Sequence, residues 1–134
     1  DQDYEAAGPP PESYVVFRKQ VESCDPFIFA TPEYNRSFPA AIKNALDVAS
    51  RPYGSSKWNG KPAAVVSVSP GAIGGFGANH HLRQVLTFLN VQPVQQPEAY
   101  IGSVMGLLDE NCKVKNEDTR ALLKSVVNAL VAKI

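Results

Sequence analysis

The sequence predicts an α/β fold, with a parallel sheet covered by helices, and three observations point there. Amphipathic segments of near-3.6 period alternate with short apolar runs along the chain. Two of those runs, residues 27–30 and 63–69, are apolar at successive rather than alternate positions, the pattern of strands buried on both faces. The order, one helix, then strand–helix twice, then strand–loop–helix, is that of parallel strands joined by right-handed crossovers.

Each element has its own local reason. Residues 1–11 are acidic and end in Gly8-Pro9-Pro10-Pro11, so they predict a loop. A helix follows over Glu12–Ser23, with Tyr14, Phe17 and Val21 at helical spacing. The run Phe27-Ile28-Phe29-Ala30 is the first strand. Ser37 is placed to cap the next helix, with Pro39 in its first turn and Ile42, Ala45, Leu46 and Ala49 facing inward. Residues 51–56 form a surface loop. The second strand, residues 63–69, leads through a glycine-rich turn (69–77) into a helix reaching about Asn90, striped by Ala78, Leu82, Val85, Leu86 and Leu89. A third strand is expected over residues 94–101. The last helix, about 118–132, carries Leu122, Leu123, Val126, Val127, Leu130 and Val131 on its inward face.

Composition narrows the function classes. The chain has 134 residues, 44% of them hydrophobic, which suits one domain with its own core. Thirteen basic residues balance thirteen acidic ones, and no Lys/Arg cluster occurs, so nothing favours nucleic acid or an anionic membrane as partner. Cys24 and Cys112 fit no CxxC or Cys/His metal spacing and suit reduced thiols in a cytoplasmic protein. No apolar run has the length of a membrane span, and no signal peptide is visible.

In open α/β sheets, ligands bind beyond the carboxyl ends of the strands. Two loops leave strand ends there. Residues 31–37 (Thr-Pro-Glu-Tyr-Asn-Arg-Ser) offer a stiff exit at Pro32, a flat face at Tyr34 and an amide at Asn35, suited to a planar heterocycle with donors and acceptors on its edge. An ordinary strand-to-helix loop with an exposed tyrosine accounts for them as well. Residues 69–77 hold Gly71, Gly74, Gly75 and Gly77 ahead of a helix N-terminus, where backbone can approach a ligand. They match neither a Walker A loop nor GxGxxG, and a plain tight turn is an equal reading. His80 and His81 point about 100° apart on a helix and cannot easily share a site, so packing or subunit contact suits them. Lys43, Arg51 and Arg83 are candidates for nicotinamide phosphates, or simply solvated cations.

Taken together, the segments TPEYNRSFPAAIKNALDVASRP (31–52), GKPAAVVSVSPGAIGGFGANHHLRQVLTFLNV (60–91) and QPEAYIG (ending at Gly102) resemble the NADPH-dependent FMN reductases, which include bacterial quinone, chromate and azo-dye reductases. The resemblance covers nearly all of residues 27–102. It implies a flavodoxin-like three-layer α/β/α sandwich with strand order 2-1-3-4-5 and FMN at the switch point. It further implies hydride transfer from NADPH or NADH through FMN to quinones, chromate, azo compounds or free flavin. By that resemblance Pro32, Glu33, Tyr34, Asn35 and Arg36 lie along the isoalloxazine, largely through backbone groups, while Ser69 and Gly71 line its other side. The reacting atoms belong to the cofactor, so no acid, base, nucleophile or metal ligand is assigned. A homodimer or dimer of dimers is implied, with each flavin near a subunit boundary. A flavodoxin-like electron carrier, or an inactive fragment, is the competing reading; carriers are typically strongly acidic, and this chain is neutral.

Four departures stand out. Val48 occupies a position where many members carry Trp, and Gly77 one where some carry Arg. Arg36 stands where a second Tyr is common, adding charge beside the flavin. The family's phosphate loop, of the form GSxRxxSxN, has no counterpart here. Asp1 aligns just after the second family strand, so the sequence is expected to lack a first strand–helix–strand unit of about 30 residues or more. Residues 27–30 would then border an absent strand, and this polypeptide alone is expected to bind FMN poorly.

Overall fold

The protein is described by a computed structural model covering Asp3 and residues 7–134. Among the described residues, elements with full bounds follow in the order α1 (Glu12–Ser23), β1 (Phe27–Pro32), α2 (Ala40–Ala49), β2 (Pro62–Val68), α3 (Phe76–Phe88), β3 (Gln92–Pro93), β4 (Ala99–Ile101), a 3-10 turn (Val104–Gly106) and α4 (Glu117–Val131). The loop expected over residues 1–11 lies partly outside the described residues.

β2 is the centre of a parallel sheet. β1 pairs along one side of it, with Phe27 opposite Ala63 and Pro32 opposite Val68. β3 and β4 share the other side, opposite residues 62–63 and 66–68 respectively. These positions match the last three of the 2-1-3-4-5 order, and the α/β class with a parallel sheet is as expected. The third strand is not one run over 94–101 but two short pieces, because Pro93 and Pro97 lack the N–H groups a continuous ladder needs.

Two cores flank the sheet. Helices α1, α2 and α3 cover Phe27, Phe29, Ala63 and Val65, with Trp58 among them. The Trp58 ring lies 5.0 Å from Phe27 and 5.9 Å from Phe29, and its indole N–H donates to the Leu46 carbonyl at 2.9 Å. On the other face α4 covers Ala64, Val66, Ala99 and Ile101.

α4 does not reach β1. Ile28 is 53% exposed and Ala30 is exposed, so the two-sided burial expected of residues 27–30 holds on one face only. β1 is an edge strand among the described residues. Likewise Val127 and Val131, expected inward, stand outward, because α4 packs on β2 and β4 through Val126 and Leu130 alone of its fully buried apolar residues.

Helix ends differ from expectation by a residue or two. α2 begins at Ala40 after Pro39, and Ser37 gives no cap, being engaged in the preceding turn. α3 ends at Phe88, and Asn90 follows in the left-handed region (φ 56°), the common way for a helix to stop. α4 is capped by Asn116, whose Oδ1 accepts the Thr119 N–H at 2.8 Å.

Candidate flavin-ring site

Because Pro32 lies opposite Val68, residues 31–37 and 69–77 leave the sheet side by side at its carboxyl edge. The first loop folds on itself. Tyr34 N–H donates to the Ser37 carbonyl at 2.8 Å, and Ser37 N–H donates back to Tyr34 at 3.0 Å. Asn35 (φ 50°) and Arg36 (φ 67°) are both left-handed, the type I′ arrangement of a two-residue turn. Asparagine is at home there; arginine costs roughly 1 kcal/mol of backbone strain. The tip is open. Tyr34 is 62% exposed, and the Asn35 and Arg36 amides donate to no atom of the described residues.

Glu33 and Gly77 lock this turn to helix α3. Glu33 Oε2 accepts the Ala78 N–H at 3.0 Å, in the first turn, where the positive end of the helix favours a carboxylate. Its Oε1 lies 3.3 Å from Arg36 Nη1. A Cβ at position 77 would sit 2.7 Å from the Arg36 carbonyl oxygen, so only glycine lets helix and turn approach this closely. Glu33 is therefore a clamp, and its carboxylate is already engaged.

The glycine-rich loop is likewise held by protein. Gly74 (φ 66°) lies against the Tyr100 backbone, where a Cβ would come within 2.6 Å. The Gly74 carbonyl accepts from the buried Ser67 hydroxyl at 2.7 Å. Asn79, fully buried, donates to Ser67 Oγ at 3.2 Å, and Arg83 bridges Asn79 Oδ1 and the Val94 carbonyl, each at 2.8 Å. Gly71 alone of the four loop glycines keeps ordinary space around it, with the Ser69 hydroxyl accepting its N–H at 3.1 Å. Sequence reasoning left this loop open between a ligand approach and a tight turn; Gly74, Gly75 and Gly77 serve packing.

The histidines separate as their spacing anticipates. His81 Nδ1 lies 3.1 Å from Ser37 Oγ, and His80 Nε2 lies 2.9 Å from the Tyr100 hydroxyl. Phe76 packs on both rings of the latter pair. Burial first, then the hydrogen bond and charge of Glu98, push the Tyr100 phenol up to about 12. Tyr100 and Asn79, and the packing role of Gly77, escaped sequence reasoning, because these roles arise only where distant loops meet. No group of three or more His, Cys, Asp or Glu suited to a metal ion occurs among the described residues. Of the cationic candidates, Arg83 is structural and Lys43 pairs with Asp47 at 2.7 Å. Lys43 and Arg51 share a groove of about 580 Å³ between α2 and α3, beside Ser37, His81 and the 87%-exposed Phe88.

The donor set fits the ring of a flavin, with two unengaged turn amides and the Tyr34 face, while Gly71 is exposed but has its N–H and carbonyl paired within the protein. The set does not extend to a phosphate. The N-terminus of α3, the natural anion position at this edge, already holds the Glu33 carboxylate, and the Arg36 carbonyl fills the space at Gly77.

Comparison with known proteins identifies the family. The sequence profile of the NADPH-dependent FMN reductases matches residues 1–106. A quinone reductase of Pseudomonas putida is 54% identical over 128 residues, covering 96% of this chain and 68% of that protein. A 2-hydroxy-1,4-benzoquinone reductase of Burkholderia sp is 43% identical over 131 residues, covering 98% and 70%. Among solved structures, the flavoenzyme NAD(P)H:(acceptor) oxidoreductase FerB from Paracoccus denitrificans superposes with a TM-score of 0.88 at 39% identity, covering 98% of this chain and 71% of that one. The chain belongs to the NADPH-dependent FMN reductase family.

Proposed function

We propose that this chain acts as an oxidoreductase that reduces quinones, and related acceptors such as chromate, azo compounds and free flavin, with NADPH or NADH through FMN. The observation that carries this reading is the clamped pair of loops at the carboxyl edge of β1 and β2, with unengaged amides at the tip of the first. The names of the relatives support it. FMN, when bound, supplies the two-electron chemistry between nicotinamide and acceptor. The protein's part is to hold the ring. Pro32 fixes the strand exit, Glu33 anchors the turn, and the Asn35 and Arg36 amides meet the ring edge. Tyr34 offers a flat face, and Ser69 and Gly71 line the opposite side.

The same reading includes a homodimer or dimer of dimers in the cytoplasm. The α2–α3 groove beside the 87%-exposed Phe88 supports a subunit contact, and two exposed unpaired cysteines suit a reducing compartment. No helix among the described residues is long and apolar enough to cross a membrane. Steady NAD(P)H oxidation with 1,4-benzoquinone at saturating added FMN tests the activity, and its absence there overturns it. Because the residues fit the ring but not the phosphate, FMN titrated into the 134-residue chain is expected to bind weakly. A tight isotherm would contradict that account of the site.

A further inference from the structure

The Arg36 guanidinium has no structural task equal to the strain of its position. Its backbone is left-handed at φ 67°, where glycine or asparagine is the easy choice, and its carbonyl is pinned against Gly77. The side chain is 74% exposed, and its one ion-pair contact is the 3.3 Å approach of Nη1 to Glu33 Oε1. Glu33 is meanwhile held by the Ala78 amide without help from Arg36. An exposed pair of this kind contributes between nothing and about 1 kcal/mol, so an incoming anion displaces it cheaply. The remaining guanidinium donors keep the planar fork that suits a pair of anionic oxygens. Two residues back in the same turn, before Asn35, is the exposed Tyr34 ring.

An exposed cation in the same turn as a site for a planar ring favours a planar ligand that carries negative charge on its ring. Resting on the oxidoreductase reading above, we propose that Arg36 is a specificity-determining residue that favours anionic ring acceptors, such as hydroxyquinones ionised at neutral pH, over neutral quinones. The anion docks on the outward guanidinium N–H groups, at the open tip of the turn that flanks the flavin-ring site. Arg36 thus acts through its side chain here, apart from the role of its amide toward the flavin.

The test compares 2-hydroxy-1,4-naphthoquinone, an anion at neutral pH, with neutral 2-methyl-1,4-naphthoquinone at saturating FMN and NAD(P)H. In Arg36→Gln the ratio of kcat/KM for the anionic to the neutral acceptor is expected to fall about tenfold, through KM rather than kcat. The preference of the unaltered protein is expected to weaken with added salt, and that salt dependence to flatten in the variant. Arg36→Lys restores part of the preference. Arg36→Gly suits the left-handed backbone, so it folds at least as well and still loses the preference. A second arm needs no turnover: the visible spectra of the two naphthoquinones are titrated with protein in the absence of NAD(P)H. It reads Arg36 even if the proposed activity fails its own test. An unchanged anionic-to-neutral ratio in Arg36→Gln, in either arm, overturns the proposal.

Discussion

Tyr100 has a phenol pushed from its ordinary 10.0 up to about 12, chiefly by burial and then by Glu98. The unfolded chain therefore releases that proton first. Tyr100 contributes stability below pH 10, and that contribution is lost as the pH rises from 10 through about 12. Ultraviolet titration of the tyrosinates is expected to show one late transition that disappears in Tyr100→Phe. Gly77 is a second residue with a measurable consequence. A methyl group there meets the Arg36 carbonyl at 2.7 Å, so Gly77→Ala is expected to destabilise by about 1–3 kcal/mol in urea melts. Neither effect was legible in the sequence. Pro32, Tyr34 and Asn35 announce a turn through their own chemistry, whereas Gly77 matters because residue 36 lies against it and Tyr100 because residues 74, 76 and 80 do.

Helices were the elements most readable from sequence, since their stripes rest on local periodicity. The bounds of α1 follow from Tyr14, Phe17 and Val21 and those of α4 from its apolar stripe, within a residue, while the Asn116 cap of α4 emerges only in the structure. Removing that cap in Asn116→Ala leaves the Thr119 amide unpaired and should cost about 1 kcal/mol, seen as a lower melting temperature. An unchanged melt would mean that the 3-10 turn and the segment after it hold the helix instead. Residues 94–101 misled because apolar content suggests a strand, while Pro97 and the neighbouring Pro93 restrict where the backbone can pair. Val127 and Val131 misled for another reason. Hydrophobicity shows which residues can be buried, not how much neighbouring surface exists to bury them.

For the whole molecule, the parallel sheet and its helical layers were legible from the alternation of elements, and the burial of β2 from its apolar run. The bareness of β1 on one face was not readable from the run itself, since Ile28 and Phe29 are equally apolar and only the position of α4 distinguishes them. An exposed, apolar edge strand invites pairing with other chains. Ile28→Lys is expected to reduce self-association, measured by light scattering at high concentration, while shifting stability by no more than about 0.5 kcal/mol. Equal scattering from both proteins would place the association elsewhere.

Every strand among the described residues pairs with β2, and no two others pair with each other. Successive residues of that strand also belong to opposite cores, Ala63 and Val65 to one and Ala64 and Val66 to the other. The sheet consequently has no half that survives alone. Withdrawing β2 unzips every ladder and opens both cores in the same event, so local opening at this strand and global unfolding become one cooperative transition.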